Sequence, residues 1–553
     1  MNVAETTATP GIMKHFVLDQ ARTKQVTALE YIERKYVEGF KNIVIAAPTG
    51  IGKSAIGAAC CFWGASQEIQ EPGEAGGFYL VTQKMLQDQL QRDIPKYRIP
   101  EAIRNCCSIK SASEYRCLNH GNCAFGMSRK TKCGCIGQGN CAYILARTAF
   151  GRAKMAITNY PYLFTEHQLV NKLLPRKVLI LDECHSLERQ VLKFVEVSIT
   201  QASLEKWARV IKQVPHFDDV VDFADYLIKT YLPTIKPRLD ALADWEATGN
   251  SPEDWQMSQE KIDLQKHYGQ VLLGAQLIHD DPDNWVFWQD QDRHGNLEAL
   301  AKPLDASPFG QELVFEMGHV RIFMSAYPGS KKVFCESLGL NPNEVAWLNL
   351  NSTFPIENRE IFLTTIGSMS RRNREQTMPA FLRFTGKVME THHDTKGIIH
   401  CNSYELGQAI FDAFRGTPHS ARLLFPTSSD ERDPTFVRHK LSPLPTVIIS
   451  PSMTEGFDFA EDLARWQIIA KVPYPYLGDR QVAAKKEMNA DWYDLQAAST
   501  IIQACGRIVR SDTDVGQTYI LDSDFLQLFE RQSHMFPRWW TDALVWPKRK
   551  ESR

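Results

Sequence analysis

The stretch Ala46-Ala47-Pro48-Thr49-Gly50-Ile51-Gly52-Lys53-Ser54 decides the fold. Ile43, Val44 and Ile45 before it form a short apolar run of the kind a buried parallel strand shows. The small and apolar residues from Lys53 to Phe62 suit a helix. A glycine-rich turn between strand and helix lays backbone N–H groups around a phosphate, and the helix N-terminus adds the positive end of its dipole. Lys53 can then reach the outer phosphates while the Ser54 hydroxyl holds Mg²⁺. Ala47 stands where the usual pattern has glycine, so this is a shortened variant. The reading predicts an α/β domain with a nucleotide site at the end of a strand.

The chain of 553 residues is too long for one core, and three or four domains are expected. Hydrophobic content of 43% and charged content of 23% are those of ordinary globular protein. A formal net charge of −2 announces no global affinity for nucleic acid, so any basic surface must be local. Apolar runs long enough to span a membrane are missing, and Met1 to Pro10 lack the pattern of a signal peptide. A cytoplasmic protein without a membrane partner is expected. Of the 13 cysteines, five crowd between Cys117 and Cys141, which in a reducing compartment argues for metal ligation rather than disulfides.

Upstream of the phosphate loop, Gln25 to Val37 carry apolar residues at helical spacing. The Gln25 amide could bind an adenine edge through its paired donor and acceptor, or be a solvated helix residue. Gly77 to Thr82 reads as a second strand, followed by a helix with Leu86 and Leu90 on one face. The segment from Cys106 to Cys141 is poor in aliphatics and cannot build an apolar core, so it needs a staple. Cys117, Cys123, Cys133, Cys135 and Cys141 supply one, and their spacing leaves zinc and an iron–sulfur cluster both open. Cys106 and Cys107 are expected to be ordinary buried or loop thiols. Met155 to Thr158 and Val178 to Leu181 are further strands. The latter runs into Asp182, Glu183, Cys184 and His185, and acidic residues there sit in the crevice where α/β sheets bind ligands. Asp182 can hold Mg²⁺ and Glu183 can polarise an attacking water; a loop cap is the plainer alternative.

Residues 190–300 lose the strand pattern and are expected to form a helical insertion, with Trp245, Trp255, Trp285 and Trp288 as core residues and a hairpin within Asp281 to Gly295. Arg321 to Ala326 returns to a strand ending in Ser325-Ala326-Tyr327. Beyond Leu350 a second α/β block is expected, with strands at Gly397–His400, Leu423–Phe425, Val447–Ser450, Trp466–Lys471 and Thr518–Leu521. One of its helices carries Gln503, Arg507 and Arg510, the two arginines sharing a face. They suit either a surface ion-pair row or an arginine finger on a transferred phosphoryl group. Lys548-Arg549-Lys550 reads as a solvated end.

In this order the motifs resemble the superfamily 2 helicases of the DinG/XPD type, over nearly the whole chain. Arg22 and Gln25 match the upstream glutamine motif, and Ala47 to Ser54 is the phosphate loop in the form that family uses. Thr82 and Gln89 resemble motif Ia. Glu114-Tyr115-Arg116-Cys117 resembles the entry to the family's cluster, and Cys141-Ala142-Tyr143 with Ala146-Arg147 its exit. Thr158-Asn159-Tyr160 matches the segment ahead of motif II, which is Asp182-Glu183-Cys184-His185. Ser325-Ala326-Tyr327 stands where the family has Ser-Ala-Thr. Gly397 to Tyr404, Ser450 to Asp458 and Gln503 to Arg510 resemble motifs IV, V and VI.

The resemblance implies two RecA-like P-loop motor domains with ATP between them, a cysteine-rich Fe–S insertion and a helical arch-like insertion in the first. Residues 1–105, 146–190 and 301–345 would build the first motor domain, 106–145 the cluster domain, 191–300 the arch and 346–553 the second motor domain. Gln25, Pro48, Thr49, Gly50, Ile51, Gly52, Lys53, Ser54 and Asp458 would bind ATP; Lys53, Asp182, Glu183, Gln503, Arg507 and Arg510 would carry hydrolysis. Cys117, Cys123, Cys135 and Cys141 would hold a 4Fe–4S cluster, with Cys133 as the alternate. The implied activity is Mg²⁺- and ATP-dependent 5′→3′ translocation by a monomer on single-stranded DNA, unwinding forked duplex or DNA–RNA hybrid. Arg147, Arg152 and Lys154 are candidates for the strand-binding groove. Two other classes compete: an ATP-gated single-strand clamp, and a zinc-stapled RNA remodeller on the same chassis.

Overall fold

The computed structural model describes residues 11–67, 75–98, 102–119, 121–127, 133–170, 173–245, 251–291, 295–451, 457, 459 and 461–546. Met1 to Pro10, Asp458, most of the Ser450–Asp458 motif and the basic tail at 548–550 lie outside the described residues.

Two seven-stranded sheets organise the chain, and every strand pairing in both is parallel. The first runs, edge to edge, Val345–Asn349, Asn42–Ala46, Gly318–Ser325, Arg176–Asp182, Gly77–Val81, Met155–Asn159 and Cys106–Ser108. The second runs Leu423–Leu424, Val447–Ser450, Gly397–His400, Trp466–Ile469, Gln517–Asp522, Ile361–Gly367 and Leu544–Val545. Central strands buried on both faces need uninterrupted apolar runs. Ile43, Val44 and Ile45, and Leu179, Ile180 and Leu181, are all 0% exposed.

Register places the chemistry. Ala46 pairs with Ser325, and Met324 with Asp182, so three adjacent strands end together. The phosphate loop, the acidic pair and Ser325-Ala326-Tyr327 therefore leave one edge of one sheet, the edge at which parallel α/β sheets bind ligands.

Three expected boundaries move. Val345–Asn349 pairs with Asn42–Ala46, so the first sheet is complete only after residue 349 rather than 345. Cys106–Ser108 pairs with Met155–Asn159, which makes it the edge strand of the first sheet rather than the start of the cysteine-rich insertion. The segment expected to be helical also carries a three-stranded antiparallel sheet, in which Leu297–Pro303 lies between Val197–Ile199 and Trp285–Gln291. Of the hairpin expected within Asp281 to Gly295, Trp285–Gln291 is one arm, but the other, Leu297–Pro303, lies beyond that range, and residue 300 falls inside it.

Above this small sheet stand the helices Gln201–Trp207, Val220–Tyr226, Leu232–Asp244 and Pro252–Asp280. The last is 29 residues long and begins with a reciprocal cap. Ser251 Oγ accepts from the Asp254 amide at 3.1 Å, and the Asp254 carboxylate accepts from the Ser251 amide at 3.2 Å, with Pro252 pre-set for the first turn. Trp285 is core, as expected, but Trp245, Trp255 and Trp288 are only half-buried. The Trp255 ring stacks on Phe125 of the cysteine-rich segment, centroids 4.1 Å apart and planes at 10°, so the long helix rests on that segment.

Candidate nucleotide, cluster and strand-binding sites

The phosphate loop is held open by its glycines. Gly50 and Gly52 have φ of +85° and +87°, the left-handed region that side chains other than glycine rarely tolerate. A Cβ on Gly50 would stand 2.0 Å from the Phe354 ring, which the sequence did not single out. Lys53 Nζ donates to the Ala47 carbonyl at 3.3 Å. Ser54 follows on the first turn of helix Lys53–Gly64. Gln25 is 2% exposed and so is not a solvated helix residue. Its Nε2 donates to the Gly52 carbonyl at 3.3 Å and its Oε1 accepts from the Arg22 amide at 2.9 Å, while Arg22 Nη1 reaches the Gly50 carbonyl at 2.6 Å. Both residues brace the loop from behind.

Across the same edge, Asp182 accepts from the Tyr79 hydroxyl at 3.0 Å and from the Glu183 amide at 3.0 Å. Burial, and then the neighbouring Glu183 charge, push its carboxyl up from the ordinary range. Glu183 sits at φ +51°, a conformation that costs a non-glycine residue about 1 kcal/mol or more and is kept where geometry matters. Burial opposes its charge, but Lys53, His185 and Arg507 outweigh it and hold the carboxyl low. The two adjacent carboxyls are thus pushed in opposite directions, Asp182 up and Glu183 down. His185 Nδ1 lies 3.3 Å from Glu183 and 2.9 Å from Ser325 Oγ, and that hydroxyl accepts from the Tyr327 amide at 3.2 Å. Tyr327 is 5% exposed, packs among core residues of the second sheet's domain, and its hydroxyl donates to the Met535 carbonyl. The residue that departs from the family pattern is therefore a plug between the domains.

From the second domain, helix Ala490–Cys505 carries Gln503 and stops before the arginines. Arg507 and Arg510 lie in the turn that follows, not on one helical face. A Cβ on Gly506 would be 3.2 Å from Thr49 Oγ1, so this turn abuts the phosphate loop. Arg507 Nη1 donates to the Phe457 carbonyl at 2.7 Å, and its charge is felt by Glu183. The Arg510 amide bonds Asp514 at 3.0 Å, at the end of the turn. The structure thus brings Thr49, Lys53, Asp182, Glu183 and Arg507 together. The chemistry of this set, amides and lysine on one side and carboxylates on the other, fits a magnesium–nucleotide.

The five clustered cysteines are all buried, 2–5% exposed. Cys117, Cys133 and Cys135 have sulfurs within 4.8 Å of one another, with Cys117 and Cys133 at 3.5 Å. Asn119 Nδ2 points at the sulfurs of Cys135 (3.4 Å) and Cys133 (3.8 Å). Cys133 therefore belongs to the converging set instead of standing by as an alternate. Cys123, expected to be a ligand, lies outside that three-sulfur set together with Cys141, its thiol 3.8 Å from the Arg116 carbonyl and beside the Cys141 sulfur; burial first, and then Cys141, push that thiol up to about 11. Buried thiols converging without any disulfide are a donor set for a soft metal centre.

A cleft of about 1200 Å³ separates the helix after the acidic pair from the second domain. Arg189, Lys193, Arg371, Arg374, Arg432 and Lys471 line it, with Tyr474 and the 80%-exposed Tyr476. Basic groups interleaved with aromatics suit a phosphate backbone and its bases. The groove candidates Arg147, Arg152 and Lys154 do not line this cleft: Arg147 pairs with Glu166 at 3.1 Å, and Arg152 and Lys154 precede strand Met155–Asn159 at its amino end. Among the described residues no helix is long and apolar enough to cross a membrane.

Two family descriptions match: "Type III restriction enzyme, res subunit" over residues 19–218 and "Helicase C-terminal domain" over residues 387–543. The chain is similar to a Caenorhabditis briggsae "Regulator of telomere elongation helicase 1 homolog", 29% identical over 103 residues, which is 16% of this chain and 10% of that protein. It is similar also to the Gallus gallus "Fanconi anemia group J protein homolog", 32% identical over 85 residues, 13% of this chain and 7% of the relative. The matched stretches thus span a tenth or less of these curated relatives. Among solved structures, "XPD_Helicase" superposes with a TM-score of 0.60 at 15% identity, covering 96% of this chain and all (100%) of that one. "Structure of S. tokodaii Xpd4" gives 0.55 at 13% identity, covering 95% and 100%. Both sheets are accordingly RecA-like in fold. Taken with the ordered motifs, the chain belongs to the superfamily 2 helicases of the DinG/XPD type.

Proposed function

We propose that the chain is an ATP-driven motor that moves 5′→3′ on single-stranded DNA and unwinds forked duplex or DNA–RNA hybrid as a monomer. The observation that carries this reading is the meeting of the two domains at the phosphate loop, where Gly506 and Arg507 face Thr49 and Glu183. A nucleotide bound by the loop from Pro48 to Ser54 lies between the halves, and Arg507 supplies the fixed, forked charge that stabilises a transferring phosphoryl group. Ser54 and Asp182 would hold Mg²⁺, which supplies charge neutralisation on the phosphate oxygens. Glu183, held ionised by Lys53, His185 and Arg507, orients and polarises the attacking water. Gln503 and Arg510 complete the second-domain side, and Gln25 acts by bracing the loop. Loss of the outer phosphate removes the charge that draws Arg507 inward, so each turnover loosens and re-forms the cleft.

Cys117, Cys133, Cys135 and Cys141 would hold a 4Fe–4S cluster, which staples a segment that has no core of its own. The strand would lie in the cleft lined by Arg189, Arg371, Arg374, Lys471 and Tyr476, gripped mainly at phosphates.

A strand-displacement assay on forks with either end polarity, using anaerobically purified protein, tests the reading. Wild type should displace only from a 5′ tail and only with ATP, and Lys53→Ala should bind strand without hydrolysing ATP. ATP hydrolysis without displacement would instead indicate a clamp, stronger stimulation by RNA than DNA an RNA remodeller, and hydrolysis by Lys53→Ala would refute the site.

A further inference from the structure

Away from the nucleotide, helix Arg480–Met488 of the second motor domain is clamped to the hairpin that closes the insertion in the first. Asp479, its cap, pairs with Lys302 at 3.0 Å. Gln481 Nε2 donates to the Pro303 carbonyl at 2.6 Å, and Lys485 Nζ to the Leu304 carbonyl at 2.7 Å. Lys485 reaches further. It donates to Glu188 Oε1 at 2.5 Å, and Glu188 sits on helix Leu187–Val195, which leaves the acidic pair. The other oxygen of Glu188 accepts from the Trp492 indole at 3.0 Å, and the Lys485 ammonium lies 4.6 Å from the centre of that ring. The Lys485 side chain is 9% exposed and that of Glu188 14%. An ammonium this deeply buried is tolerated only when its donors are filled. Here they are filled from three separate parts of the chain: the hydrolytic domain, the insertion and the second motor domain.

We propose that Lys485 is a positioning residue, the joint that ties the insertion to the second motor domain. The insertion is covalently part of the first domain, so without a joint it would follow that domain alone. With the joint, displacement of helix Arg480–Met488 pulls on strand Leu297–Pro303 and hence on the small sheet beneath the long helix Pro252–Asp280. That helix rests through Trp255 on Phe125 beside the clustered cysteines, so the same pull arrives at the cysteine-rich segment. The joint makes strand separation depend on domain motion, while hydrolysis stays with Lys53, Asp182, Glu183 and Arg507. This inference rests on the motor reading proposed above.

Lys485→Met keeps the stem and removes the ammonium; Lys485→Arg restores a charge and donors. The expected result is a fall of roughly tenfold or more in strand displacement for Lys485→Met, the scale of a lost charge-assisted hydrogen bond. ATP hydrolysis should stay within about twofold, and Lys485→Arg should recover most of the displacement. Hydrogen exchange in strand Leu297–Pro303 of the nucleotide-free protein should quicken in Lys485→Met, a readout that does not depend on turnover. Unchanged exchange overturns the joint whatever the rates do, and so does a displacement loss matched by an equal loss of hydrolysis. Should Lys485→Met fail to fold, Gln481→Ala, which removes only the bond to Pro303, is read by the same assays with a smaller expected loss of about threefold. A wild type that hydrolyses ATP but displaces no strand overturns the motor reading itself; a displacing wild type with an unaltered Lys485→Met overturns the joint alone.

Discussion

Asp182 and Glu183 are adjacent in sequence yet opposite in electrostatic state, and the difference has a measurable consequence. Asp182 is pushed up to about 6 by burial and the Glu183 charge, whereas its unfolded value is that of an ordinary carboxylate. The folded, metal-free protein therefore binds a proton there that the unfolded chain releases, so this group's contribution to stability falls as pH rises through that window. Metal binding must expel the same proton. The affinity of the nucleotide-free protein for Mg²⁺ should accordingly weaken by roughly tenfold per pH unit below about pH 6, one proton per cation, and level off above it. Calorimetric titrations with Mg²⁺ from about pH 5 to 8 check this, and Asp182→Asn should abolish the slope along with most of the binding. A pH-independent affinity would mean that Asp182 is already ionised in the free protein.

At the level of elements, the cysteine-rich segment shows what local sequence can and cannot say. Sequence marks it as a segment needing a staple, because its composition is visible residue by residue. Which thiols converge depends on how short elements turn. Cys133 precedes the short helix Gly134–Gly137 and faces Cys117, whereas Cys123 opens helix Cys123–Met127 with its thiol beside Cys141 and the Arg116 carbonyl, outside the three-sulfur set. Cys133→Ala should therefore lose the broad absorbance near roughly 400 nm expected of an iron–sulfur centre. Cys123→Ala should keep it, together with near-stoichiometric iron; the reverse pattern would restore Cys123 to the ligand set. The same element carries the contact that fixes the long helix. Trp255→Ala removes the stack on Phe125 and should cost about 1 kcal/mol of docking beyond the buried area lost. Faster proteolytic cleavage and hydrogen exchange at the start of helix Pro252–Asp280, with the cysteine segment's absorbance retained, is the expected signature.

Strands were legible where apolar runs were unbroken, as in Ile43–Ile45, Leu179–Leu181 and Ile448–Ile449, and illegible where the residues were ambiguous. Cys106–Ser108 offers only cysteines and a serine, and Val345–Asn349 mixes tryptophan with asparagine at the sheet edge. The phosphate loop, the acidic pair and Arg507 were legible because each is a local pattern with its own chemistry. Nothing in a helix sequence says that the Gln25 amide turns inward to Gly52. Phe354 over Gly50, and Glu188 with Lys485 across 297 residues, had no local signal at all.

For the molecule as a whole, the question is how a first domain that holds the phosphate loop knows where the second one is. A chain of contacts runs from Glu183 through His185 and Ser325 to the Tyr327 amide, and the Tyr327 ring ends in the core of the second domain at the Met535 carbonyl. Tyrosine in place of the family's threonine is what makes the last step possible, because a threonine side chain is too short to span the interface. Tyr327→Phe keeps the ring and leaves one buried carbonyl unpartnered, a cost of about 1–3 kcal/mol. Tyr327→Thr, although it restores the family residue, empties the ring's site and adds a cavity, a cost of about 3–5 kcal/mol. The family-like substitution should therefore be the more damaging of the two. Urea unfolding, with the midpoint of the transition that separates the domains as readout, should rank wild type above Tyr327→Phe and Tyr327→Phe above Tyr327→Thr. If Tyr327→Thr matched the wild type, the ring would be filling space that the interface can close without it, and the contact chain would end at Ser325.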